Sequence, residues 1–145
     1  MNFKGFSVVE FPPVNPKVSG FVYVLCWVAG SDEVPFYVGQ TTRIWGRLDD
    51  YYWAMHSACT DFRVGEAVRY LGARGYHTIV KYKSSSDPRH EESEIIKHLR
   101  SLGRNLLNDL SAYDYKKEPD ESKHRLRVQN FVADKLLSVS ITSQS

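Results

Sequence analysis

The apolar and polar positions of the chain fall into blocks that predict alternating strands and helices. Every residue from Phe21 to Ala29 (FVYVLCWVA) is apolar, most of them β-branched or aromatic. That run is too short to span a bilayer, and its composition predicts a strand buried on both faces. Gly30, Ser31, Asp32 and Glu33 form a turn signal, and Phe36, Tyr37 and Val38 return as a second strand, so a β-hairpin is expected. Pro35 has no backbone donor, which puts it at the start of that strand. Gly39 ends the strand where the backbone turns tightly or a ligand comes close. Thr41 or Thr42 can cap the next helix, whose apolar stripe is Ile44, Trp45, Leu48, Tyr51, Tyr52 and Met55.

The remaining pattern continues the alternation. His56 to Asp61 marks a helix end followed by a new N-cap, and Val64, Ala67, Val68 and Leu71 predict a second helix from about Asp61 to Arg74, stopped by Gly75. Tyr76 to Lys83 (YHTIVKYK) alternates as a third strand. Asp87-Pro88 supplies a cap and a first-turn proline for a third helix that runs to about Leu102 and ends at Gly103. Before all of this, residues 1–19 contain Pro12, Pro13 and Pro16, which predict an extended or irregular segment along the domain edge. After it, Lys116 to His124 (KKEPDESKH) is charged and predicts a linker. Val128, Phe131, Val132 and Leu136 then predict a C-terminal helix that packs on the domain or on a second copy of the chain, with Ser138 to Ser145 frayed. The organisation expected is an irregular segment over 1–19, a single domain over 20–110, and a linker with a C-terminal helix over 111–145.

Composition narrows this picture little. The 145 residues are 42% hydrophobic and 25% charged, enough for one domain with a core. No signal peptide or membrane span is visible, so a cytoplasmic location is the default expectation, without membrane attachment. The formal net charge of +2 is too small to argue for a nucleic-acid partner by itself. Cys26 and Cys59 cannot make a disulfide framework or a metal quartet, and are expected to be small buried hydrophobes.

Two features suggest chemistry. Tyr23, Tyr37, Arg47 and Tyr51 carry polar tips on or beside apolar surface within one hairpin-helix unit, Arg47 and Tyr51 being one turn apart. Further on, Glu92 lies within the apolar stripe formed by Ile95, Ile96, Leu99 and Leu102, whereas Glu91 sits at its margin and Glu94 points away. A carboxylate on the core side of a helix is costly unless it is paired or holds a metal. A buried salt bridge, a first-turn acid favoured by the helix dipole, and a metal ligand all satisfy that requirement.

In this order, the residues resemble the GIY-YIG nucleases. Val22-Tyr23, then Tyr37-Val38-Gly39, then Arg47 in the following helix look like that signature, with Phe21 where the family often has glycine. Glu92 with Ile95 and Ile96 is similar to the family's helical glutamate, and Gly103-Arg104-Asn105-Leu106-Leu107-Asn108 is similar to its terminal asparagine segment, which selects Asn108 over Asn105. The resemblance spans roughly Gly20 to Asn108. It implies an α/β fold with a compact three-stranded antiparallel sheet flanked by helices, and an endonuclease that hydrolyses DNA with Mg²⁺ or Mn²⁺. Glu92 would hold the metal, and Arg47 would stabilise the transition state. Tyr23 would orient or deprotonate water, Tyr37 and Tyr51 would position phosphate or water, and Asn108 would brace the site. The alternatives are a nucleic-acid-binding module on the same fold without turnover, and a protein-interaction domain or homodimer built on the tail helix.

Overall fold

The structure, a computed structural model, describes residues 2–3, 6–11, 19–53, 59–110 and 121–137. The expected hairpin forms its centre. Strands β3 (Gly20–Ala29) and β4 (Asp32–Thr41) pair antiparallel from Phe21–Thr41 to Ala29–Asp32. The tip is closed by Gly30 and Ser31, with Gly30 at φ +64°, a left-handed conformation that a side chain disfavours. β4 is longer than the expected Phe36–Val38, and Pro35 lies inside it. The register slips between Leu25 and Cys26, so Leu25 faces Tyr37 while Cys26 faces Pro35 and Phe36 is the extra residue. A bulge on an outer strand is where a missing ladder donor is tolerated.

β5 (Thr78–Ser85) pairs antiparallel with the other side of β3, placing Tyr82 beside Tyr23 and Val80 beside Leu25. The sheet then exceeds the three antiparallel strands expected. It has five, in the order β1-β2-β5-β3-β4, and one neighbouring pair is parallel. The two added strands come from the N-terminal residues: β1 (Asn2–Phe3) turns back on β2 (Phe6–Phe11), which runs parallel to β5. The Phe6 and Val8 side chains are buried on one face. The prolines that argued for irregular chain, Pro12, Pro13 and Pro16, lie just after this strand and outside the described residues.

Helix α1 (Ile44–Trp53) follows β4 directly, with the Thr41 hydroxyl accepting the Arg43 amide at 3.0 Å. Ile44, Leu48 and Tyr51 are its buried face, while Trp45 and Tyr52 of the expected stripe are exposed. Met55 and His56 lie outside the described residues, as do the side chains of Cys59, Thr60 and Asp61. Helix α2 (Cys59–Ala73) buries Phe62, Val64, Ala67 and Leu71. Helix α4 (Glu121–Phe131) starts within the segment expected to be a linker and continues as a π-helical stretch, Val132–Leu137. His124, Val128, Val132 and Leu136 are buried, so the tail helix turns its apolar side to this chain's own core. Glu66 of α2 ties it down, accepting from Arg125 at 3.4 Å and Gln129 at 3.1 Å. The rest of the linker and Ser138 to Ser145 are outside the described residues.

These helices cover the face of the sheet that carries Tyr23, Leu25, Trp27, Val80 and Tyr37. Helix α3 (Pro88–Ser101) lies on the opposite face, against Val22, Val24 and Cys26. Asp87 caps it by accepting from the His90 amide at 3.3 Å. The coverage is incomplete: Ile95 and Leu99 stand over an apolar groove of about 340 Å³ that also touches Pro35 and the stems of Lys81 and Lys83. Burial pushes the Cys26 thiol up to about 11, which makes it an inert core group rather than a nucleophile. Among the described residues no helix is long and apolar enough to cross a membrane.

Candidate active site

The sequence places Tyr23 on β3 and Tyr37 on β4 with their side chains on one face, and α1 folds back over that face. Three phenol rings therefore meet there. Tyr23 and Tyr51 are 6.4 Å apart between centroids, Tyr23 and Tyr37 6.4 Å, and Tyr37 and Tyr51 6.3 Å. The Tyr23 and Tyr51 hydroxyls are hydrogen-bonded to each other. Both residues are 2% exposed.

Gly39 makes this arrangement possible. It lies directly across from Tyr23 in the β3–β4 register. A Cβ at position 39 would stand 2.4 Å from both Cζ and Oη of Tyr23. The strand does not end at this glycine, as the sequence suggested, but runs on to Thr41, and what comes close is neither a turn nor a ligand but Tyr23, whose hydroxyl crosses β4 where that strand has no side chain. Because β4 is the outer strand, the hydroxyl arrives at the sheet edge. Gly39→Ala is expected to destabilise the fold by about 1–3 kcal/mol, the range for forced overpacking, and urea unfolding monitored by tyrosine and tryptophan fluorescence measures it.

Asn108 braces the same edge. Its Nδ2 donates to the Val38 carbonyl at 2.8 Å and its Oδ1 accepts from the Val38 amide at 3.0 Å. It thereby pairs the free edge of β4 between Tyr37 and Gly39 as a further strand would. It sits on a one-turn helix, Leu107–Asp109, anchored by buried Leu106 and Leu107. Asn105 instead donates to the Lys135 carbonyl at 3.1 Å and lies away from the hydroxyl cluster.

The charges around the cluster come from both layers. Arg47, half-buried on α1, acts on Tyr23 and Tyr51 and favours their ionised forms, but burial outweighs it. Tyr23 and Tyr51 are both held far above the usual phenol range by loss of hydration. Tyr37 is raised for the same reason, with Arg63 opposing. No member of the trio is therefore a base near neutral pH.

Glu92 approaches from α3, on the other face of the sheet. Its carboxylate nevertheless raises Tyr23 and Tyr37 through its charge, so it lies within electrostatic reach of both hydroxyls. It is half-buried and forms no hydrogen bond or ion pair among the described residues. Burial raises its own pKa, against the nearby Arg89. Its neighbour Glu91 is paired, with Lys83 Nζ at 2.7 Å and Ser85 Oγ at 2.7 Å. Of the two half-buried acids at this end of α3, only Glu92 keeps its oxygens uncommitted. Among the described residues no three His, Cys, Asp or Glu side chains cluster as a metal cage. A single carboxylate suits a hard cation that retains waters and takes phosphate oxygens, as Mg²⁺ and Mn²⁺ do, and does not suit one that needs an all-protein ligand set.

One participant was missed in the sequence. Arg63 of α2 is 7% exposed, its guanidinium 5.9 Å from the Tyr37 ring centroid. The signal was there: Arg63 stands four and eight residues before Ala67 and Leu71, on their stripe. Compared with family models, with curated proteins and with solved structures, the chain matches none.

Proposed function

We propose that this chain is a metal-dependent endonuclease that hydrolyses DNA phosphodiester bonds at a single site, as the GIY-YIG resemblance implies. One observation supports the reading: the Tyr23 and Tyr51 hydroxyls are hydrogen-bonded to each other beside the Tyr37 ring, with Arg47 and the uncommitted carboxylate Glu92 in electrostatic reach of Tyr23. Phosphodiester hydrolysis needs such a mixture. Negative charge grows on the phosphate oxygens while water attacks, so the site must offer fixed positive charge and hydrogen-bond donors where that charge appears.

Arg47 is suited to the first task, being permanently charged and fork-shaped. The Tyr23 hydroxyl is suited to the second. Its raised pKa keeps the phenol protonated, so it orients water or a phosphate oxygen by hydrogen bonding and does not take the proton. Tyr51 and Tyr37 hold Tyr23 in place. Glu92 would hold the divalent cation, which when bound supplies Lewis-acid polarisation of the phosphate and an acidified water. Asn108 keeps β4, and with it Tyr37 and Gly39, in register.

The high tyrosine pKa values also suit a module that grips nucleic acid without cutting it. The two readings separate in one assay. Supercoiled plasmid incubated with the protein and Mg²⁺ is expected to become nicked or linear, and EDTA is expected to stop this. Salt-sensitive DNA binding with no cleavage in Mg²⁺ or Mn²⁺, across duplex, branched and single-stranded substrates, would leave the binding module as the answer.

A further inference from the structure

Helix α3 presents a row of side chains to the outer edge of β4. Two ion pairs fix which side of the helix this is. Glu91 reaches Lys83 and Ser85, so its side of α3 faces β5. Arg100 is paired with Asp109, the neighbour of the Asn108 that pairs with Val38, so its side faces the edge of β4. Arg89 stands three helical turns before Arg100 and therefore on the same side. Glu92 lies between the Glu91 side and the Arg89 side, turned to the sheet.

Pro88 places the first turn of α3 along β4. A Cβ at Gly20 would stand 2.9 Å from Pro88 Cγ and 3.1 Å from the Thr41 carbonyl, so the helix begins over the Thr41 end of β4. Gly39, where the Tyr23 hydroxyl crosses the strand, is one step of the same register back. From its start α3 runs back along the strand, with Ile95 and Leu99 over Val22, Val24 and Pro35. Glu92 is thus flanked along this edge by Arg89 on one side and by the Asn108 brace on the other.

Arg89 is uncommitted. It is exposed and forms no hydrogen bond or ion pair among the described residues. The other lysine and arginine of α3 are taken: Lys97 lies 3.8 Å from Glu94, and Arg100 is held by Asp109. The acids on either side of Arg89 in the chain are taken as well, since Asp87 caps the helix and Glu91 binds Lys83. A permanently charged fork of this kind matches the paired oxygens of a phosphate.

We propose that Arg89 anchors the DNA phosphate next to the scissile one, so that the strand to be cut runs along the outer edge of β4, past Tyr23 and Glu92, to Arg89. This rests on the nuclease reading. The anchored phosphate does not react, so Arg89 contributes affinity and register without reading sequence. Its work is thereby separate from that of Arg47, which is assigned to the reacting phosphate.

The test measures binding of a fluorescein-labelled DNA duplex to the full-length protein by anisotropy in EDTA, over a range of KCl, beside plasmid cleavage in Mg²⁺. Arg89→Ala is expected to weaken binding about five- to tenfold at about 0.1 M salt. It should also lower the slope of log Kd against log salt by about 0.9, the counterion release of one phosphate contact. In cleavage KM should rise by a similar factor, with kcat changed less than about twofold. Arg89→Lys should keep the slope, because the charge remains, and lose part of the affinity with the fork. Arg74→Ala is the control for net charge: Arg74 stacks on Tyr70 of α2, 3.6 Å from the ring centroid, on the other layer of helices, and its loss should leave the slope unchanged. An Arg89→Ala variant with the wild-type slope overturns the anchor, and so does an equal loss of slope in Arg74→Ala. A fall in kcat at saturating DNA with the slope intact does the same. If the wild type binds the duplex and does not cut it, the nuclease reading falls while the slope still decides whether Arg89 holds a phosphate. A wild type that does not bind DNA overturns both.

Discussion

Glu92→Gln is expected to abolish metal-dependent cleavage while leaving the fold as stable as the wild type or more so. A bound divalent cation contributes several kcal/mol to the transition state, which corresponds to about a thousandfold or more in rate. Glutamine keeps the shape of the side chain and loses the anion. The stability half follows from linkage. Burial raises the Glu92 pKa above its unfolded value, so the folded state binds this proton more readily than the unfolded one. For a carboxylate shifted in that direction, the folded state is penalised once pH rises above the folded pKa, and the penalty disappears as pH falls below the unfolded pKa. The variant's melting temperature should therefore equal or exceed that of the wild type at pH 7, and the gap should close on acidification through the carboxylate range. A glutamate committed to a structural ion pair would behave in the opposite way, its loss destabilising the protein at neutral pH. Scanning calorimetry at pH 7 and at pH 4, beside the plasmid assay, separates the two.

Arg47→Ala is expected to lower kcat by about 10²–10³-fold, the loss found when one preorganised donor to a developing oxyanion is removed. Its guanidinium acts on Tyr23 and Tyr51, so its loss also leaves those phenols harder to ionise. Arg47→Lys should recover the charge but not the fork, and is expected to stay at least about tenfold below the wild type. The melting temperature should change little, because Arg47 is half-buried on α1 beside the fully buried Leu48 and Tyr51, which carry the packing. A variant that binds DNA normally, folds normally and cuts at the wild-type rate would remove Arg47 from the site.

The sequence revealed the hairpin, the helix order and the candidate residues, because each depends on local periodicity. Phe21 to Ala29 could only be a buried strand. The stripe through Ile44, Leu48 and Tyr51 orients α1 so that Tyr51 faces the sheet. What was not legible depended on long-range pairing. Phe6 to Phe11 alternates as a strand should, yet its partner is β5, some seventy residues later, and the neighbouring prolines masked it. The position of Pro35 depended on a bulge that only the β3 register defines. Gly39 read as a strand end with a turn or a ligand, because nothing local shows that the Tyr23 ring packs across it. Arg63 was passed over, because its burial follows only when helix phase and the packing of α2 are considered together. Glu92 was recognisable as an acid on an apolar stripe, but not as the uncommitted partner of a paired Glu91.

The proposed convergence of the Glu92 carboxylate with the tyrosine hydroxyls can be tested directly by paramagnetic broadening. The protein labelled at tyrosine ring carbons would be titrated with Mn²⁺ in the presence of a short DNA duplex. The signals of Tyr23, Tyr37 and Tyr51 should broaden first, ahead of Tyr76, which packs on Trp27 towards the other end of β3, and Glu92→Gln should prevent it. Broadening that spares the trio, or that survives the loss of the carboxylate, would contradict a shared site.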